Sequence, residues 1–145
     1  MKSQQATRQD GDRTHALAEG SFTVEMKPQG EPSTADGVSL GRLSLAKQFT
    51  GDLTGVGSGE MLTALTPVQG SAGYVAIERV RGTLHGRAGS FVLQHTGTMS
   101  AGAQQLTIAV VPGSGTDALA GLAGTFRLSV VDGRHDYAFD YSLPS

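Results

Sequence analysis

Glycine spacing constrains this chain more than any other feature. Twenty-one of its 145 residues are glycine, about twice the usual share. They fall between short apolar stretches rather than in one low-complexity tract. Glycine supplies positive φ at tight turns and lets backbones approach closely, but it weakens helix interiors. Short alternating runs punctuated in this way predict an all-β sandwich or barrel. The length fits one domain with room for a real core.

Several function classes drop out on composition. There is no cysteine, which excludes disulfides, thiolate chemistry and a Cys-based zinc site. The formal charge is −2, no stretch is strongly basic, and aromatics are too scattered for a stacking platform, so no nucleic-acid partner is expected. The longest apolar run, Ile108 to Val111, falls far short of the ~20 residues needed to span a bilayer. The N-terminus lacks the apolar core of a secretion signal. The expectation is a cytoplasmic protein with no membrane partner.

Met1 to Gly20 is polar, with Lys2, Arg8 and Arg13 balanced by Asp10, Asp12 and Glu19. Residues 1–20 are therefore expected to be a flexible leader, with a frayed helical turn near His15 to Glu19, and residues 21–145 a β-barrel domain. Ser21 to Lys27 alternates, placing Phe22, Val24 and Met26 on one face. Pro28 to Gly37 is turn-rich. Val38 to Phe49 resumes as a strand whose apolar phase slips between Leu40 and Leu43, which predicts a β-bulge at Gly41-Arg42. Phe49 to Glu60, FTGDLTGVGSGE, has neither dinucleotide-fingerprint nor phosphate-loop spacing and reads as a strand with glycine kinks.

The segment Gly73 to Met99, GYVAIERVRGTLHGRAGSFVLQHTGTM, reads as two long strands. A two-residue turn at Gly86-Arg87 sets glycine first, as a type II′ loop requires. That register puts His85 opposite Ala88 and Glu78 opposite His95; a turn at Gly82-Thr83 would break the pairing. One face carries Tyr74, Ala76, Glu78, Val80, Phe91, Leu93, His95 and Met99, and is expected to point inward. A carboxylate and an imidazole in contact inside a barrel support each other's charge. They form either an acid–base pair or a polar pair that fixes strand register.

Further on, Gln104 to Val111 reads as a strand covered on both faces. Pro112 to Thr116, PGSGT, is a structural loop, because Ser114 lacks nucleophile-elbow spacing. Thr116 is expected to cap a short helical turn that Gly121 ends. The last hairpin, Phe126 to Val131 and Arg134 to Leu143 around Asp132-Gly133, pairs Val130 with His135, Leu128 with Tyr137 and Phe126 with Phe139. The total is about eight antiparallel strands and one helical turn. Closure into a single barrel removes exposed edges; an open sandwich is the alternative.

FTGDLTGVGSGEML, the central hairpin, VVPGSGTDALAGLAGTF and DGRHDYAFDYSL together resemble the bacterial domain-of-unknown-function family 3224, over roughly Ser21 to Pro144. GRAGSFVLQHTGTM and PGSGT carry the resemblance most specifically. It implies a fold similar to the allene oxide cyclase barrel, eight strands around an apolar cavity, and assigns no activity.

Three readings follow. The first is a barrel that binds a small apolar ligand, walled by Tyr74, Phe91, Leu93, Met99, Leu128, Tyr137 and Phe139, with Glu78 and His95 orienting a polar group. The second is a cofactor-free isomerase or lyase-like enzyme in which Glu78 or His95 moves a proton. The third is a structural barrel filled by its own side chains and acting through its surface or as a homo-oligomer, with Val75, Ile77 and Val92 on the outward face supporting such an interface. No cofactor is called for. Nor is a metal: His85 and His95 are ten residues apart, about 33 Å along a strand, and Glu78 with His95 offers only two ligands.

Overall fold

The alternating runs pair into one antiparallel sheet. The computed structural model describes residues 12–145. Among these the strands are β1 (Arg13–Pro28), β2 (Ser33–Ala35), β3 (Val38–Gly51), β4 (Leu53–Leu65), β5 (Ala72–Leu84), β6 (Arg87–Ser100), β7 (Ala103–Val110), β8 (Ala123–Val131) and β9 (Arg134–Pro144). A 3-10 turn at Asp117–Leu119 interrupts the β7–β8 connection. Strand order is β1-β9-β8-β7-β6-β5-β4-β3-β2, and β1 also pairs with β3. Eight strands thus close on themselves, while β2 hangs from the far end of β3 as an extra strand.

Four hairpins share one device. Asp36-Gly37, His85-Gly86, Ala101-Gly102 and Asp132-Gly133 all carry positive φ at both positions, the type I′ geometry whose twist matches the strands it joins. The β8–β9 hairpin has the expected register, Val130 to His135 and Phe126 to Phe139. The β5–β6 turn is His85-Gly86 rather than Gly86-Arg87, so Leu84 faces Arg87 and Glu78 faces Leu93. The shift is two residues. An even slip preserves the face of every side chain, so Glu78 and His95 still point inward, now as diagonal neighbours. His85 tolerates its left-handed conformation and is held at the rim, where its Nδ1 hydrogen-bonds the Tyr141 hydroxyl and its Nε2 lies 3.5 Å from Asp52 Oδ2.

Other expectations change as well. Phe49 to Glu60 is not one strand, because a turn at Gly51-Asp52 divides it between β3 and β4, and Gln104 to Thr107 of β7 are exposed rather than covered on both faces. Residues 13–20 are strand, not leader or helical turn: Arg13 to Gly20 pair with Tyr137 to Pro144 of β9. Small Ala16 and Ala18 turn inward there, and Ala18 is fully buried. The remainder of the expected leader, residues 1–11, lies outside the described residues. No bulge occurs at Gly41-Arg42, because β3 pairs with β4 without interruption from Ser39 to Phe49; Leu40 simply faces outward. Thr116 makes no side-chain cap. Instead its hydroxyl accepts from the Ser90 N–H at 3.0 Å.

That last contact belongs to a larger repair. Strands β7 and β8 pair through two residue couples, Ile108–Phe126 and Ala109–Thr125. Beyond them the PGSGT loop runs beside β6 and completes its ladder with side chains. Ser114 Oγ accepts from the Val92 N–H at 3.0 Å and donates to the Val111 carbonyl at 2.7 Å. The Thr116 N–H donates to the Ser90 carbonyl.

The core is asymmetric along the barrel axis. At the end bearing the β3–β4 and β5–β6 turns, Leu53, Leu84 and Leu143 meet Leu119 and Leu122 from the β7–β8 loop, all buried. Below them Phe91 stacks on Phe139 and Phe139 on Phe126, the latter with centroids 4.0 Å apart. At the opposite end the inward faces emerge into solvent. Met26, Leu65, Met99, Leu106 and Val130 have the parity of buried residues on their own strands yet remain exposed.

Candidate functional site

The polar cluster lies between these two ends. Strand β3 alternates Leu45, Lys47, Phe49 inward; β5 offers Ala76, Glu78, Val80; β6 offers Leu93, His95, Gly97. Lys47 and His95 are nearly sealed from solvent and Glu78 is completely so. Lys47 Nζ donates to Glu78 Oε1 at 3.0 Å, and His95 Nε2 donates to the same oxygen at 2.9 Å. Since a carboxylate only accepts, Nε2 must carry the proton. The ammonium also sits 4.9 Å from the Phe22 ring centroid and 5.9 Å from that of Phe49, a cation–π arrangement suited to a desolvated lysine.

Burial alone would push the Glu78 carboxyl up. The His95 hydrogen bond and the adjacent Lys47 charge outweigh it and hold the group below the usual glutamate value. Glu78 is therefore an ionised anchor, neutralised by Lys47. Its second oxygen, Oε2, has no hydrogen-bond partner and lies against Gly57. A Cβ at Gly57 would stand 2.3 Å from it and 3.2 Å from the Phe49 ring, so a side chain there would have to displace the carboxylate.

One layer toward the open end, Met61, Thr63, Leu65, Tyr74, Met99 and Gln104 line a hollow of about 140 Å³. The Tyr74 ring takes the space a side chain at Gly97 would need: a Cβ there would lie 2.4 Å from Cε1. Burial first, and the negative Glu78 second, raise the Tyr74 hydroxyl above the ordinary tyrosine value. It stays protonated, a neutral donor between the hollow and the charged cluster.

The nine expected site residues therefore separate into groups. Glu78 and His95 form the polar pair. Tyr74 and Met99 line the hollow. Phe91, Leu93, Tyr137 and Phe139 are buried in the packed core, where they wall no open lumen, because neighbouring rings fill the space at that level. Tyr137 is further committed: its hydroxyl accepts from the Leu53 N–H and donates to the Thr50 carbonyl, both at 2.9 Å. Leu128 is half-buried at the core's edge. Sequence reasoning missed Lys47, Gly57 and Met61. The signal for Lys47 was its parity, since it alternates with Leu45 and Phe49 on the inward face. Met61 follows Gly57 and Gly59 at the same spacing.

The comparisons with known proteins agree with this architecture. The family described as "Protein of unknown function (DUF3224)" matches residues 18–141. A crystal structure of a DUF3224-family protein of unknown function from Shewanella oneidensis MR-1 is 48% identical, covers 88% of this chain and 96% of its own, and superposes with a TM-score of 0.84. No curated protein matches the chain. The barrel, with its glycine-framed polar cluster, is thus that of a member of the DUF3224 family, to which this chain belongs.

Proposed function

We propose that the barrel binds one small, mainly apolar molecule at its open end. One observation carries the reading. Inward-facing Met26, Met99, Leu106 and Val130 are 51%, 37%, 37% and 63% exposed, although the same strand faces are sealed nearer the closed end. Apolar surface turned inward but left wet is what an apolar guest would cover. The Tyr74 hydroxyl supplies a polar contact at the inner end of the site. Lys47, Glu78 and His95 support it from below as a charge-balanced floor.

A proton-transfer role fits less well. A general base works best with a pKa near the operating pH, whereas Glu78 is held low and its Oε1 is already shared by two donors. The outer wall carries Glu25, Arg42, Glu60, Arg79, Arg127 and Asp140, all exposed, and charge distributed this way suits water rather than lipid around the barrel. Among the described residues no helix is long and apolar enough to cross a membrane. We read the protein as cytoplasmic.

The test is a titration with 1-N-phenylnaphthylamine, an uncharged apolar fluorophore. Saturable enhancement at one site per chain is expected. Met61→Lys should weaken it roughly tenfold, about 1.4 kcal/mol, while Val56→Lys on the outer wall leaves it unchanged. Absence of saturable binding, or equal effects of the two substitutions, contradicts the proposal.

A further inference from the structure

The outward face of β4, β5 and β6 carries apolar side chains in register. Leu62 pairs directly with Val75 across the β4–β5 ladder, and Ile77 follows Val75 two residues along β5. The three are 55%, 50% and 52% exposed. Val92 continues the band on β6, diagonal to Ile77. Single exposed aliphatics need no explanation, but a contiguous band with a polar border marks a contact surface.

Its relief is a ridge between two hollows. One, of about 500 Å³, is bordered by Arg42, Glu60, Leu62, Val75, Ile77 and Gln94. The other, of about 400 Å³, is bordered by Ser58, Glu60, Ile77, Arg79 and Val92. Both share Glu60 and Ile77, which face each other across the β4–β5 ladder. The charges lie together along one edge of the band. Glu60 lies across from Ile77 and meets Arg42 at 3.6 Å, with both side chains largely in solvent. Arg79 lies two residues beyond Ile77, and no carboxylate among the described residues of its own chain pairs with it.

We infer that this face joins two copies of the chain about a two-fold axis. In an isologous contact each residue meets its counterpart's neighbour and the relation is returned. Ile77 of each copy then seats in a hollow of the other, and Glu60 of each faces the Arg79 of its partner. The acid and the base lie side by side along one edge of the apolar band, so a copy turned about an axis between them sets each against its opposite.

Sedimentation equilibrium at about 100 μM, well above a micromolar dissociation constant, tests this directly. A dimer is expected. Ile77→Lys should give monomer that keeps the β-sheet circular dichroism of wild type, since the side chain is half in solvent. Arg79→Glu should weaken association roughly tenfold by setting acid against acid, and Glu60→Arg added to it should restore the dimer. A monomeric wild type, a dimer indifferent to Ile77→Lys, or a charge swap that fails to restore association would each overturn the inference.

Discussion

Glu78 has two oxygens in unequal surroundings. Oε1 takes both donors, from Lys47 and His95, while Oε2 rests against Gly57 without a partner. A buried carboxylate so placed stays ionised only while its partners hold it, which gives stability a defined pH dependence. The folded carboxyl lies below its ordinary value, so its contribution is complete above the unfolded value of about 4.3. It is lost as pH falls through the lower folded value. Urea unfolding of wild type and Glu78→Gln across this acid range should therefore show wild type losing its margin over the variant as pH drops. A margin that is constant, or that grows on acidification, contradicts the assignment. The Glu78–His95 pair was legible in the sequence because parity alone places both side chains on one face, even with the register two residues off. Lys47 was not. A lysine between Leu45 and Phe49 reads as a snorkelling surface residue, and its true role depends on Glu78 two strands away, reached over the glycines of β4, which one strand cannot reveal.

At the level of elements, turn chemistry separates what could be read from what could not. Asp132-Gly133 announces a type I′ turn, and the β8–β9 register follows from it. His85-Gly86 and Ala101-Gly102 adopt the same geometry, but His and Ala are uncommon at its first position. Sequence spacing thus makes Gly86 the first turn residue when it is the second. What holds His85 there comes from distant segments, the Tyr141 hydroxyl and Asp52. The apparent phase slip at Leu40 is no bulge: Leu40 pairs with Ser33 on one side and Ala64 on the other and faces outward on an unbroken strand. The PGSGT loop is legible as structural from its spacing, but its task, hydroxyls standing in for ladder carbonyls, depends on β6 lying alongside it. Ser114→Ala leaves the half-buried Val92 N–H without its acceptor, which costs about 1–3 kcal/mol. Chemical denaturation should show a loss of that size, and amide exchange at Val92 should accelerate. A neutral substitution with unchanged exchange would mean that the loop does not complete the β6 ladder.

For the molecule as a whole, the closed antiparallel barrel was readable from the punctuated alternation, since eight alternating strands have little other way to cover one apolar face and lose their edges. Whether the interior was open or filled was not readable, because the answer differs along the axis. Stacked Phe91, Phe126 and Phe139, topped by Leu119 and Leu122, fill one end. The other ends in Met61, Tyr74 and Met99 around a hollow, with Leu106 exposed on β7. Methyl-labelled Met and Leu residues report on both ends in a single spectrum. Titration with 1-octanol, followed by carbon–proton correlation NMR, should move the methyls of Met61, Met99 and Leu106 along one saturable curve while those of Leu53 and Leu119 stay fixed. Equal shifts at both ends, or none at the open end, would contradict a barrel packed at one end and receptive at the other.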